Sequence, residues 1–204
     1  MAKKGLPGSI RFSDRVKQEI RFFSLRKIVN LLLIELQILC KRSKVYGYPP
    51  RISIETGNIC NLSYPLCPTG QRDVEVKRGF MTLDNFKRII DELGCYLILL
   101  RLYNWGEPLL NKDLISIIHY AVRKGISTTI STNLSIVLSQ DFARQLLEAG
   151  LTKIFVSCDG VSSETYEKYH IGGNFDQVVN NMKLLVREKQ KLVHCYTRII
   201  WLFE

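Results

Sequence analysis

The sequence predicts an α/β chain: a partial (β/α) barrel of the TIM type with about five parallel strands, preceded by an N-terminal amphipathic helical arm. Three observations carry this reading. From residue 51 onward, short apolar runs alternate with segments of helical apolar period, the pattern of a parallel sheet with right-handed crossovers. Gly94, Gly125 and Gly150 close successive helical segments, as helix-ending glycines do. The 204 residues suffice for a sizeable core but fall short of the roughly 250 of a complete eight-fold barrel.

Residues 1–48 read as a basic helical arm. Phe22, Leu25, Val29, Leu32, Leu36 and Leu39 recur at helical spacing, so the arm is expected to pack this stripe against the domain that follows, with a membrane anchor as the alternative. The most hydrophobic stretch, 28–40, holds Asn30, Glu35 and Gln37 and is too short to span a bilayer as a helix. Tyr48-Pro49-Pro50 then ends any helix, and the core domain is expected over 49–204. Within it the strands are predicted at 51–56, 96–102, 126–131, 151–158 and 193–203, and the helices at 84–93, 112–124, 140–149 and 175–189. No helix or sixth strand follows the last strand, so the core is expected to be truncated, with an open edge.

An apolar fraction of 46% and a charged fraction of 24% are those of a globular protein and exclude a disordered or fibrous one. The net charge of +10 is uneven: residues 1–51 hold 12 Lys and Arg against 3 Asp and Glu, and the remainder 17 against 16. Such an arm can make weak contact with an anionic membrane or nucleic acid, although Lys and Arg spread singly and in pairs also describe a solvated segment. No export signal is visible and six cysteines without one argue against a disulfide framework. The expected location is cytoplasmic and reducing.

The chemistry lies in the loops after the strands, the face on which barrels of this kind carry function. After the first strand comes Cys60-Asn-Leu-Ser-Tyr64-Pro-Leu-Cys67, which has the spacing C-x3-C-x2-C with a tyrosine in the middle. Two cysteines at C-x6-C are not by themselves a metal signature. Three later loops add to them: Trp105-Gly106-Glu107-Pro108 after the second strand, Ser131-Thr132-Asn133 after the third, and Ser157-Cys158-Asp159-Gly160 after the fourth. Taken singly, the first of these is a helix-entry turn and the second an N-cap or turn.

Four such loops, each after its own strand, resemble the core of the radical S-adenosylmethionine (radical SAM) superfamily over about residues 50–204. The arm and the spacing are most similar to its SPASM-type subgroup, whose members carry a cysteine-rich extension after the barrel. The resemblance implies a [4Fe-4S] cluster held by thiolates of the first loop, here Cys60 and Cys67, with the open iron chelated by S-adenosylmethionine. It further implies cofactor contacts by Gly106, Glu107, Pro108, Asn133, Ser157 and Asp159, with the Glu107 carboxylate and nearby carbonyls receiving the methionine ammonium. The activity implied is reductive cleavage of S-adenosylmethionine to start hydrogen abstraction, with an external electron donor and a small-molecule or peptide substrate. No catalytic residue is assigned.

Two residues depart from the family pattern. Tyr64 stands where the second thiolate belongs, and a phenol, with a pKa of about 10, stays protonated near neutrality. His170, in Tyr-His-Ile-Gly-Gly, stands where relatives often have arginine. Tyr64 sets the main alternative: a non-catalytic scaffold that binds a protein or peptide. His119, His170 and His194 lack ligand spacing, so each is expected to be structural. Cys95 is expected at the far end of the barrel, and Cys158 is expected to point outward under the helices.

Overall fold

The computed structural model describes residues 20–71, 77–193 and 195–202. Residues 1–19 of the arm, His194, Phe203 and Glu204 lie outside them.

The chain runs α1 (Leu25–Leu39), β1 (Arg51–Ser53), α2 (Leu83–Leu93), β2 (Leu99–Arg101), α3 (Leu114–Arg123), β3 (Ser127–Thr132), α4 (Gln140–Glu148), β4 (Lys153–Ser157), α5 (Ser163–Tyr169), α6 (Phe175–Lys191) and β5 (Arg198–Leu202). A 3-10 turn, Pro108–Leu110, precedes α3. The five strands pair in parallel in the order β1-β2-β3-β4-β5. An order without reversal is how a singly wound barrel starts, whereas a doubly wound sheet reverses at a switch point. Among the described residues the sheet does not close, and β1 and β5 are its edges.

Capping side chains set the helix starts. Thr82 Oγ1 accepts from Asn85 N at 3.3 Å, Ser139 Oγ from Phe142 N at 3.1 Å and Asn174 Oδ1 from Gln177 N at 2.8 Å, each satisfying a donor that the helix itself leaves unpaired. Asp113, at the head of α3, accepts from Leu83 N of α2 at 3.2 Å and so links two helices. Phe86, Ile90, Leu114, Ile117 and Ile118 of α2 and α3 lie buried with Leu100, Ile130, Ile154 and Val156 of the sheet. Each such buried side chain contributes about 1.5–3 kcal/mol of hydrophobic stabilisation, and the same core continues under the later helices through Leu146, Val178 and Leu185. In β4, alternation sends Ile154 and Val156 under the helices and leaves Phe155 and Ser157 half-buried on the inner face.

Several expectations need correction. Four of the strands are shorter than predicted, because apolar runs continue past the last paired residue, and β3 keeps its length but starts one residue later. Helix α5 was not expected, since seven residues are too few for a period to show, although Ser162 and Thr165 form a reciprocal capping box. Gly125 (φ 70°) and Gly150 (φ 90°) leave their helices through the left-handed region, whereas Gly94 stays right-handed at φ −59°.

The arm departs most. Leu25, Val29, Leu32, Leu36 and Leu39 are all more than half exposed, while Lys27, Asn30 and Gln37 are buried; of the expected stripe, Phe22 alone is covered. The reason is a set of specific hydrogen bonds on the inner face. Lys27 Nζ donates to Phe22 O at 3.1 Å and Gly125 O at 2.6 Å. Asn30 pairs with Tyr48 in both directions, donating to its O at 2.8 Å and accepting from its N at 2.9 Å. Gln37 Oε1 accepts from Tyr46 N at 3.2 Å and Gly47 N at 3.4 Å. Each bond satisfies backbone that contact with an apolar stripe would leave unpaired, at a cost of about 1–3 kcal/mol per buried group.

Strand β5 pairs with β4, and among the described residues no strand lies on its other side, so it is a sheet edge of the kind that promotes strand addition. The isolated 204-residue chain is therefore expected to self-associate as its concentration rises, as sedimentation velocity would show. A monomer at every concentration would contradict this.

Candidate functional site

At the C-terminal ends of the strands the four loops surround a cavity of about 290 Å³. Cys60, Cys67, Gly106, Glu107, Asn133 and Ser157 all line it, so six of the eight residues expected at the site come together. Pro108 and Asp159 do not line it. Pro108 is buried at the start of the 3-10 turn, where its fixed φ suits the first position, and Asp159 is engaged beside the cavity by Tyr64 and His170.

The loop after β2 is locked onto the loop after β1 by its backbone. Glu107 N donates to Ile59 O at 2.9 Å, and Gly106 lies so close to Gly57 that a Cβ there would meet its carbonyl oxygen at 1.8 Å. Only glycine fits. Glu55, which no sequence signal marked, supports the same turn by accepting from Trp105 N at 2.8 Å and Gly106 N at 3.1 Å. Asn111, equally unmarked, donates to Thr56 O at 2.7 Å and Met81 O at 3.0 Å.

The Glu107 carboxylate joins this pair of loops to the third. It is 2% exposed and accepts from Leu109 N at 3.0 Å, Thr132 Oγ1 at 2.7 Å and Asn133 N at 2.8 Å. With these three donors it holds the loops in shape while still lining the cavity. Burial pushes its pKa up to about 7 against the opposing pull of the Thr132, Leu109 and Asn133 donors. Asn133 carries the link onward: its Nδ2 donates to Asn61 Oδ1 at 3.1 Å and contacts Cys60 Sγ at 3.6 Å, and its Oδ1 accepts from Ser135 N at 2.8 Å. Burial raises the pKa of the Cys60 thiol. Across the cavity, Ser157 Oγ lies 3.2 Å from Ser131 Oγ.

Tyr64 does not fill its position passively. Its hydroxyl donates to Asp159 Oδ2 and lies 3.2 Å from His170 Nε2, which is itself 3.0 Å from Asp159 Oδ2. His170 is buried, stacks on Tyr166 at 4.2 Å between ring centroids, and has its pKa lowered by burial against the pull of Asp159. The two departures noted in the sequence thus touch each other across the mouth of the site. Both Tyr64 and His170 reach the cavity.

The donor set does not fit a cube held by three thiolates. Cys60 and Cys67 border the cavity, but the position between them carries a phenol committed to a carboxylate and an imidazole. The other cysteines do not stand in for it. Cys158 is buried and directed at Gly160 O at 3.7 Å, Cys195 contacts Thr197 Oγ1 at 3.6 Å, and Cys40 is exposed beyond the end of α1. Among the described residues, no three His, Cys, Asp or Glu side chains form a metal-ligand group.

Fold and site define an open, singly wound parallel sheet with a cysteine-bearing loop and a cavity at the C-terminal ends of its strands. Residues 54–202 match the radical SAM superfamily, and the chain belongs to that superfamily. It is 33% identical over 124 residues to the Fe-coproporphyrin III synthase of Methanosarcina barkeri, covering 60% of this chain and 30% of that protein. It is 29% identical over 133 residues to the PqqA peptide cyclase of Rhodopseudomonas palustris, covering 64% and 34%. In fold it is similar to Streptococcus suis SuiB bound to precursor peptide SuiA, with a TM-score of 0.62 at 16% identity over 98% of this chain and 40% of that one. It is also similar to BtrN in complex with AdoMet and 2-DOIA, with a TM-score of 0.54 at 21% identity over 75% and 57%. The chain spans about a third of the length of these curated relatives. Members of the superfamily use a [4Fe-4S] cluster and S-adenosylmethionine.

Glu107 gives the site a pH signature. Its pKa is about 7 in the folded chain against 4.5 for the unperturbed group, so the native state holds the extra proton between these values. Its contribution to stability is full below about pH 4.5 and is lost as the pH rises through about 7, by on the order of 3 kcal/mol. Thermal melts of the parent and Glu107→Gln across this range are expected to show a falling component in the parent that the variant lacks. Parallel pH profiles would contradict it.

Proposed function

We propose that this chain is a radical SAM core that keeps the family's cofactor cavity and is closed at one cluster position, so that it binds S-adenosylmethionine without cleaving it reductively. The observation that carries this is the Tyr64 hydroxyl, bound to Asp159 and His170 where the family pattern has a thiolate. The polar wall of Ser131, Asn133 and Ser157 supplies hydroxyl and amide groups suited to a ribose or an amino-acid carboxylate. Metal-bound chemistry in this family needs thiolate ligands, and two cysteines hold a cube poorly.

The substrate or partner class is a peptide. Two of the relatives support this, since one is a PqqA peptide cyclase and another is a structure bound to a precursor peptide. An external electron donor belongs to the same proposal and becomes relevant once the third ligand is present. The scaffold alternative shares the cavity and differs in having no use for the sulfonium.

Anaerobic reconstitution of the parent is expected to leave well under one cube per chain by iron and sulfide analysis, while equilibrium dialysis detects S-adenosylmethionine binding. Tyr64→Cys should raise iron per chain several-fold, and Tyr64→Cys with His170→Arg further still, because the single change leaves Asp159 paired with His170 beside the new ligand. 5′-Deoxyadenosine should then appear under a strong reductant. A full cube in the parent would overturn the closure, and no S-adenosylmethionine binding in a folded parent would leave the scaffold reading in its place.

A further inference from the structure

We propose that the outward face of α1 is a membrane-surface site, on which the helix lies in the plane of an anionic bilayer. The inference is independent of the cofactor cavity. At 100° per residue, Ile28, Leu39, Leu32, Leu25, Leu36, Val29 and Leu33 fall within an arc of roughly 140° that contains no polar side chain. All seven are exposed. Lys27, Asn30 and Gln37 occupy the opposite side and are buried in hydrogen bonds to Phe22, Gly125, Tyr46, Gly47 and Tyr48. The apolar arc is therefore held outward, and the helix cannot roll it inward without breaking those bonds.

An exposed apolar face of this size calls for a cover, and charge decides which. Arg21, Arg26, Lys41, Arg42 and Lys44 are exposed at the ends and flank of the helix, and among the described residues of the arm Glu35 alone is acidic. Apolar residues framed by Lys and Arg are the composition of a helix that enters the headgroup layer of an anionic membrane. A second copy of the helix, for which the alternating four- and three-residue spacing of Leu25, Val29, Leu32, Leu36 and Leu39 would also serve, brings the same positive charge to the contact and is opposed by it. Nucleic acid would meet the basic residues but leave the apolar arc uncovered. No helix among the described residues is long and apolar enough to cross a membrane, so the helix lies on the surface.

The test is flotation of the full chain on a density gradient with vesicles of phosphatidylcholine alone or mixed with phosphatidylserine, a format in which aggregated protein sinks. The parent is expected to float with the mixed vesicles and not with phosphatidylcholine alone, and to be released as salt is raised. Leu32→Glu combined with Leu36→Glu should lower the floating fraction by about tenfold or more through loss of the apolar face. Both positions are more than half exposed, and an unchanged circular dichroism melt confirms that the variant folds. Lys41→Glu with Arg42→Glu should weaken binding to the mixed vesicles through charge alone. Three outcomes overturn the proposal: a parent that floats with neither vesicle, a folded Leu32→Glu and Leu36→Glu variant that floats like the parent, or a parent that ignores vesicles and forms a dimer that the same variant dissolves.

Discussion

One carboxylate buried between three loops, that of Glu107, ties the working face of this sheet together. Its backbone N–H holds the loop after β1, its two oxygens hold the loop after β3, and its own turn opens α3. Hydrogen bonds to a charged group contribute about 1.5–3 kcal/mol each, yet burial still raises the pKa to about 7, so desolvation outweighs all three donors. The carboxylate is thus a strained joint: it positions Asn133, and through Asn133 the Cys60 thiol and Asn61, at a cost to stability that grows as it ionises. Gly106 makes the joint possible, because any side chain there would strike the Gly57 carbonyl.

On the far wall a different logic holds. Read along the chain, Tyr64 and His170 are unrelated losses, one of a ligand and one of a cation. In the fold they are neighbours sharing Asp159, and they fit one another. A phenol that donates to a carboxylate needs no deprotonation, and a buried imidazole beside that carboxylate offsets part of the carboxylate's burial cost. Arginine at 170 would compete for Asp159 with a fixed charge, whereas histidine leaves room for the phenol. Tyr64, His170 and Asp159 thus form one polar cluster, and the middle position of the loop carries a hydrogen-bonded phenol instead of a gap.

Much of this was legible in the sequence. Parallel order followed from alternation and from helix stops at Gly125 and Gly150, and the site followed from four motifs, each at a strand's C-terminal end. Six of the eight expected site residues meet at one cavity because strand ends in a singly wound sheet all open on the same face. What stayed hidden was pairing. Nothing in the spacing says that Glu55 accepts from Trp105 and Gly106, that Asn111 bridges Thr56 and Met81, or that Asp159 turns to Tyr64. Such contacts join residues tens of positions apart and are set by loop shape, which no local period records.

The arm shows a second limit of the same kind. Helical periodicity reports that α1 has an apolar side and a polar side, and the usual inference puts the apolar side inward. That inference assumes the domain offers an apolar surface. Here the groups beneath the helix are the Gly125 carbonyl of the domain and, from the arm itself, the Phe22 carbonyl and the backbone of the turn ahead of β1, all of which must be paired wherever they are buried. Amide and ammonium side chains satisfy them and leucines cannot, so these hydrogen bonds decide which side faces inward. The leucines are then left outside as a consequence of what lies beneath the helix, and the demand for a cover passes from the core to the surroundings.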